Sequence, residues 1–133
     1  MEVKTDTKEK YHVIGVNTPH ISANMTDELS NSLVTLLQTN NKNVVLKLKE
    51  VKTIDEQAAE ALVKLQQRFY EANASFVICE MNADIEDFLD KKELLELLNL
   101  TPTESEAADI VQMEEIEREL MDEEDTPDPL KGS

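Results

Sequence analysis

The run Asn43-Val44-Val45-Leu46-Lys47-Leu48-Lys49-Glu50-Val51-Lys52-Thr53-Ile54-Asp55-Glu56-Gln57-Ala58 is where this chain declares its fold. From Val44 it has three consecutive apolar residues and then alternates, as a strand does that is covered on both faces at one end and more open at the other. Beyond it, Ala58, Leu62, Leu65, Phe69 and Ala72 recur at helical spacing and make one apolar stripe. Asn73 is a suitable stop, because Asn tolerates left-handed backbone. Ser75 to Glu80, with Phe76-Val77-Ile78-Cys79 at its centre, reads as the next strand. Strand, helix, strand in that order predicts a right-handed crossover and parallel pairing of the two strands.

Working outward, Lys10 to Val16 is rich in β-formers and ends at the turn signal Asn17-Thr18-Pro19. A strand over Val3 to Thr7 is expected to pair with it as a hairpin. Thr26 is a suitable cap for a first helix that places Leu29, Leu33, Leu36 and Leu37 on one face, with Asn40, Asn41 and Asn43 as breakers. Downstream, Asn82 and Asp84 are cap candidates for a helix from Ile85 to about Leu89, and Leu94 to Leu100 reads as further helix. Thr103 and Glu106 have the spacing of a capping box for a last helix running to about Leu120. Met113 and Met121 suit packing or a partner's groove.

The whole chain is 133 residues with a formal charge of −16, and its 29 acidic side chains outnumber 13 Lys and Arg. The surplus is concentrated from Glu104 to Asp128, where 12 acids face one base, Arg118. The division expected is a domain over 1–121 and a disordered acidic tail over 122–133, rich in Asp, Glu and Pro. A surface of this sign repels nucleic-acid phosphates and anionic membranes. One Cys and two His cannot build a His/Cys zinc cage, and two Gly leave no phosphate-cradling loop, so no cofactor is expected. His12 and His20 read as surface or packing residues with no nucleophile beside them in sequence. Asp84, Glu86, Asp87 and Asp90 lack calcium-loop spacing and read as a solvated helix face. Cys79 reads as a buried structural thiol. A polar N-terminus and a single Cys predict a cytoplasmic protein without catalytic machinery.

The stretch from Asn43 to Asp55, the helix through Ala61-Leu62, the strand Phe76 to Cys79, the leucine run ending Leu97-Leu98-Asn99-Leu100-Thr101 and the closing Glu106-Ala107 resemble STAS domains over about residues 10–120. The family includes bacterial anti-sigma factor antagonists and the cytoplasmic tails of sulfate transporters. The resemblance implies an α/β fold, a mixed sheet of four to five strands packed against about four to five helices. It implies a non-catalytic interaction module whose partner is an anti-sigma factor or serine kinase of the histidine-kinase-like ATPase fold. Antagonists of the family carry Asp-Ser-Ser-Gly after the central strand, and the first serine is the phosphoacceptor. Asp55 matches the aspartate, while Glu56, Gln57 and Ala58 stand at the two serines and the glycine, and Lys47 stands where the strand usually has an aspartate.

Glu56 has no hydroxyl and cannot accept a phosphoryl group. One carboxylate falls short of the roughly −1.5 to −2 charge of a phosphoserine, so Glu56 is an incomplete mimic of the modified state. Two accounts of it stand side by side. Asp55 and Glu56 at a helix start are each favoured by about 0.3–1 kcal/mol on electrostatic grounds alone. Alternatively, Thr53, Asp55, Glu56, Gln57 and Ala58 form a partner-binding surface with built-in charge. Thr53 is the nearest hydroxyl, expected to point sideways or inward. A second function class is a cytoplasmic accessory subunit of a membrane transport ATPase or transporter. A third, a small-molecule or nucleotide sensor, is disfavoured by the acidic surface.

Overall fold

The computed structural model describes residues 3–125. The elements run β1 (Val3–Thr7), β2 (Tyr11–Val16), β3 (His20–Ile21), α1 (Ala23–Leu36), β4 (Asn43–Lys47), β5 (Thr53–Ile54), α2 (Glu56–Glu71), β6 (Phe76–Cys79), α3 (Ala83–Lys91), a 3-10 turn (Leu95–Leu97), β7 (Leu100–Thr101) and α4 (Glu104–Asp125). The main sheet has the order β1-β2-β4-β6-β7, and β3 and β5 form a separate two-stranded sheet. β1 and β2 are the expected antiparallel hairpin, Val3 opposite Val16. β2, β4, β6 and β7 are parallel throughout, with Val45 opposite both Val13 and Val77. The parallel β4–β6 pairing across α2 is the one that the central stretch predicts, and the mixed sheet is the one that the resemblance implies.

Strand alternation divides the apolar residues between two layers. Ile14, Val16, Val44, Leu46, Phe76 and Ile78 face α1, α2 and α3, in a core that includes Leu29, Leu33, Leu62, Leu65, Phe69, Ile85 and Leu89. Val13, Val45, Val77 and Cys79 face the other way and are covered by Ala107 and Val111 of α4. The second layer is much thinner than the first. Cys79 is fully covered there, and its burial pushes the thiol up to about 12, with Glu80 and Glu104 adding to the effect. Such a thiol is inert at neutral pH.

Several expected boundaries move. α1 starts at Ala23, and its cap is Ser22, whose Oγ accepts the Met25 N–H at 3.4 Å; Thr26 lies inside the helix, where its hydroxyl donates to the Ala23 carbonyl at 2.7 Å. The leucine run is not a helix. It is a single 3-10 turn followed by β7, because the Ile78 and Glu80 N–H groups at the sheet edge bond the Asn99 and Thr101 carbonyls. Asn73 ends α2 with φ of 58°, as expected, and Glu80 and Glu93 also adopt left-handed backbone. Thr103 caps α4 through the Glu106 N–H at 3.1 Å, and the helix backbone runs on to Asp125, past the expected end near Leu120. Residues 126–133 of the expected tail lie outside the described residues.

Candidate functional site

The β5–α2 junction is built by short-range and long-range bonds together. Pro19 accepts the N–H groups of Lys52 (2.7 Å) and Thr53 (3.1 Å), and Ile21 accepts that of Asp55 (3.0 Å). The β3–β5 ladder sets His20 opposite Thr53. Asn82 caps α3 by accepting the Ile85 N–H at 2.8 Å, and its amide donates to the Val51 and Lys52 carbonyls at 3.3 Å. The loop leading into α2 is therefore fixed from two sides before any side chain of the junction is considered.

On this frame Ile54 is buried at 7% exposure and Ala58 at 0%, while Thr53, Glu56 and Gln57 are exposed and Asp55 is half-buried. Ala58 thus positions the surface by packing and offers it no contact area. Thr53 points outward, contrary to the sideways or inward expectation. Asp55 occupies the N-cap position with extended backbone (φ −70°, ψ 152°), yet its carboxylate makes no capping hydrogen bond. It accepts from His20 Nε2 at 2.9 Å instead, and His20 Nδ1 lies 2.6 Å from Thr53 Oγ1. A carboxylate can only accept, so Nε2 carries the hydrogen, and in the neutral ring Nδ1 accepts a hydrogen bond from the Thr53 hydroxyl. His20 therefore clasps the junction, a role its sequence neighbours did not disclose.

Glu56 is 53% exposed at the side chain and lies 3.5 Å from the equally open Lys92 ammonium. A pair this exposed is worth roughly 0–1 kcal/mol and leaves the carboxylate presented to solvent. Lys52, Thr53, Ile54, Asp84, Ile85 and Phe88 line an adjoining open cleft of about 230 Å3. That is below the roughly 300–1,000 Å3 of a drug-sized ligand pocket. Lys47 stands apart from the junction. Its ammonium lies 3.3 Å from carboxylates of both Glu80 and Glu104, and these hydrogen bonds, Glu104 first, hold its pKa above the usual lysine range. Its charge is engaged in tying the ends of β4 and β6 to the start of α4. No three or more His, Cys, Asp or Glu side chains among the described residues converge as a metal site.

The STAS domain family model matches residues 3–107, spanning β1 to the first turn of α4 and the whole junction. The chain belongs to the STAS domain family. Three solved structures illustrate how the STAS fold is shared. An anti-sigma factor antagonist from Mycobacterium paratuberculosis superposes with a TM-score of 0.70 at 14% identity, covering 84% of this chain and 93% of its own. The Bacillus cell fate determinant SpoIIAA in its phosphorylated form gives 0.62 at 10% identity, covering 83% and 99%. The murine anion transporter Solute Carrier 26 family member A9 gives 0.63 at 12% identity, with 78% of this chain matching 18% of that one. No curated protein matches the chain in sequence at a significant level. Among the described residues of this STAS domain, no helix is long and apolar enough to cross a membrane.

Proposed function

We propose that this STAS domain is a non-catalytic protein-interaction module of the anti-sigma factor antagonist kind, with Glu56 in the place of the phosphorylatable serine. The observation that carries the reading is the presentation of Glu56: a half-exposed carboxylate, without a hydroxyl, at the start of α2, after a loop held by Pro19, Ile21 and Asn82. Asp55, Glu56 and Gln57 form the contact surface, and Thr53 and Ala58 fix its shape. The partner is an anti-sigma factor or serine kinase of the histidine-kinase-like ATPase fold, which meets the junction with complementary positive charge. Because the charge at position 56 is part of the chain, occupancy of the complex follows the amounts of the two proteins and not a phosphorylation cycle.

Incubation with candidate kinases of that fold and radiolabelled ATP tests this. The wild-type chain is expected to take up no label at the junction, and Glu56→Ser is expected to gain stoichiometric label at position 56. Stoichiometric labelling of the wild-type junction would overturn the fixed-charge reading. Recovery of a transport ATPase subunit from solubilised membranes, with no binding to any such kinase, would replace it with the accessory-subunit role.

A further inference from the structure

α4 has two apolar faces, and among the described residues only one is covered. Ala107 and Val111, with Ile110 at the margin, lie on the sheet. Met113, Ile116 and Leu120 are 59%, 48% and 53% exposed. At about 100° per residue these three fall within an arc of about 60°, nearly opposite Ala107 and Val111. The helix cannot turn to bury them. Glu114 is bonded to Ser75 Oγ at 2.5 Å, Glu115 accepts from Asn43 Nδ2 at 2.8 Å, and Arg118 Nη2 donates to Ser75 Oγ at 3.2 Å. These contacts fix which side of α4 meets the sheet and hold the second stripe outward. The family match ends at residue 107, so the stripe belongs to a part of the chain that family membership does not describe. The side chain of Met121 lies outside the described residues.

The charge around the stripe decides what covers it. Asp109, Glu117 and Glu119 border it, all exposed. Arg118 is the one basic residue of α4, and its guanidinium is turned inward to Asn43, Ser75 and Glu115. A second copy of this chain would set acid against acid. A cationic partner replaces that repulsion with attraction.

We infer that Met113, Ile116 and Leu120 dock a basic amphipathic helix of a partner protein, with apolar residues spaced i, i+3 and i+7 on the stripe and Lys or Arg against Asp109, Glu117 and Glu119. This surface lies across the sheet from α1, α2 and α3 and does not depend on the reading of Glu56.

The probe is a fluorescein-labelled helical peptide of leucine and lysine with that spacing. Its control is a scrambled peptide of the same composition. Anisotropy titrations use the full chain. The helical peptide is expected to bind and the scrambled one to bind at least tenfold more weakly. Ile116→Glu and Leu120→Glu each add a negative charge, which by itself would strengthen attraction to a basic peptide. Both are nonetheless expected to weaken binding at least tenfold, whereas Tyr70→Glu, at an 80% exposed position on α2, is expected to leave it unchanged. Glu117→Lys with Glu119→Lys is expected to weaken it as well. Equal binding of the scrambled peptide, or undiminished binding by Ile116→Glu, would overturn the inference. So would a concentration-dependent dimer in sedimentation that Ile116→Glu abolishes, which would assign the stripe to self-association.

Discussion

Phe69→Ala is expected to lower folding stability by about 3–5 kcal/mol, the usual cost of removing a fully enclosed aromatic side chain. Phe69 is 0% exposed and lies on the buried stripe of α2. Its ring centroid is 5.2 Å from that of Phe76, itself fully buried on β6, with the planes tilted by 40°. An aromatic pair at this separation contributes beyond the area it buries. The loss therefore has two parts: the ring's own transfer and a void that neighbours on a parallel strand and a long helix are poorly placed to fill. Domains of this size have about 5–15 kcal/mol in total, so the variant sits near the edge of folding. Urea unfolding followed by far-ultraviolet circular dichroism should show a lower midpoint at unchanged slope. Phe69→Leu should lose less than half as much. A loss below 1 kcal/mol for the alanine variant would mean that α2 is not seated on β6 as described.

The second large effect is expected at Asn43. Its side-chain amide is 4% exposed as a residue and uses all its capacity. Nδ2 donates to the Lys10 carbonyl (2.9 Å) and to Glu115 Oε1 (2.8 Å), while Oδ1 accepts the Ser75 N–H (2.8 Å) and Arg118 Nη2 (3.3 Å). Asn43→Ala strands the buried Ser75 N–H at about 1–3 kcal/mol and removes three part-buried hydrogen bonds, so a total loss of about 2–4 kcal/mol is expected. It also changes the response to acid. The Asn43 hydrogen bond is the foremost of the influences that hold Glu115 below its usual 4.5, with Arg118 assisting and partial burial opposing. Glu115 therefore binds its proton more weakly in the folded chain than in the unfolded one. Its stabilising contribution is whole above about pH 4.5 and drains away as pH falls through the lower folded value. Without Asn43 the two values draw together. Stability measured from pH 6 down to 3 should then fall less steeply for Asn43→Ala than for wild type, beyond the uniform loss.

The sequence discloses most of the frame and little of what fastens it. The β4–α2–β6 crossover is legible because its signals are local and mutually consistent: a run of strand formers, a stripe from Ala58 to Phe69, and a left-handed stop at Asn73. β3 and β7 are two residues each, too short for any periodicity, and they exist because partner strands far along the chain offer hydrogen bonds. Ser22 does not stand out as the α1 cap in sequence because the residue three after it is Met25, whose sulfur replaces the carboxylate of an ordinary capping box. At the junction, Glu56 and Gln57 lie exposed where the local pattern placed them. The His20 clasp joins residues 33 and 35 positions apart, and the Asn43, Ser75 and Arg118 network spans up to 75. Neither leaves a mark in local spacing. Asp55 stands at the N-cap of α2 without a capping hydrogen bond, its carboxylate bonded instead to the His20 imidazole across the small sheet.

The thinness of the α4 layer has a consequence of its own. Little more than Ala107, Val111 and a set of polar bonds keeps that helix seated, whereas the opposite layer is locked by aromatic and branched side chains from three helices. Excursions in which α4 lifts away are thus expected to cost less than opening the opposite layer. Cys79 lies beneath it, silent while covered. The chain accordingly carries a native stopwatch: each excursion bares one sulfur, and the pace of alkylation by iodoacetamide in mildly alkaline buffer should report how often the cover opens, well ahead of global unfolding.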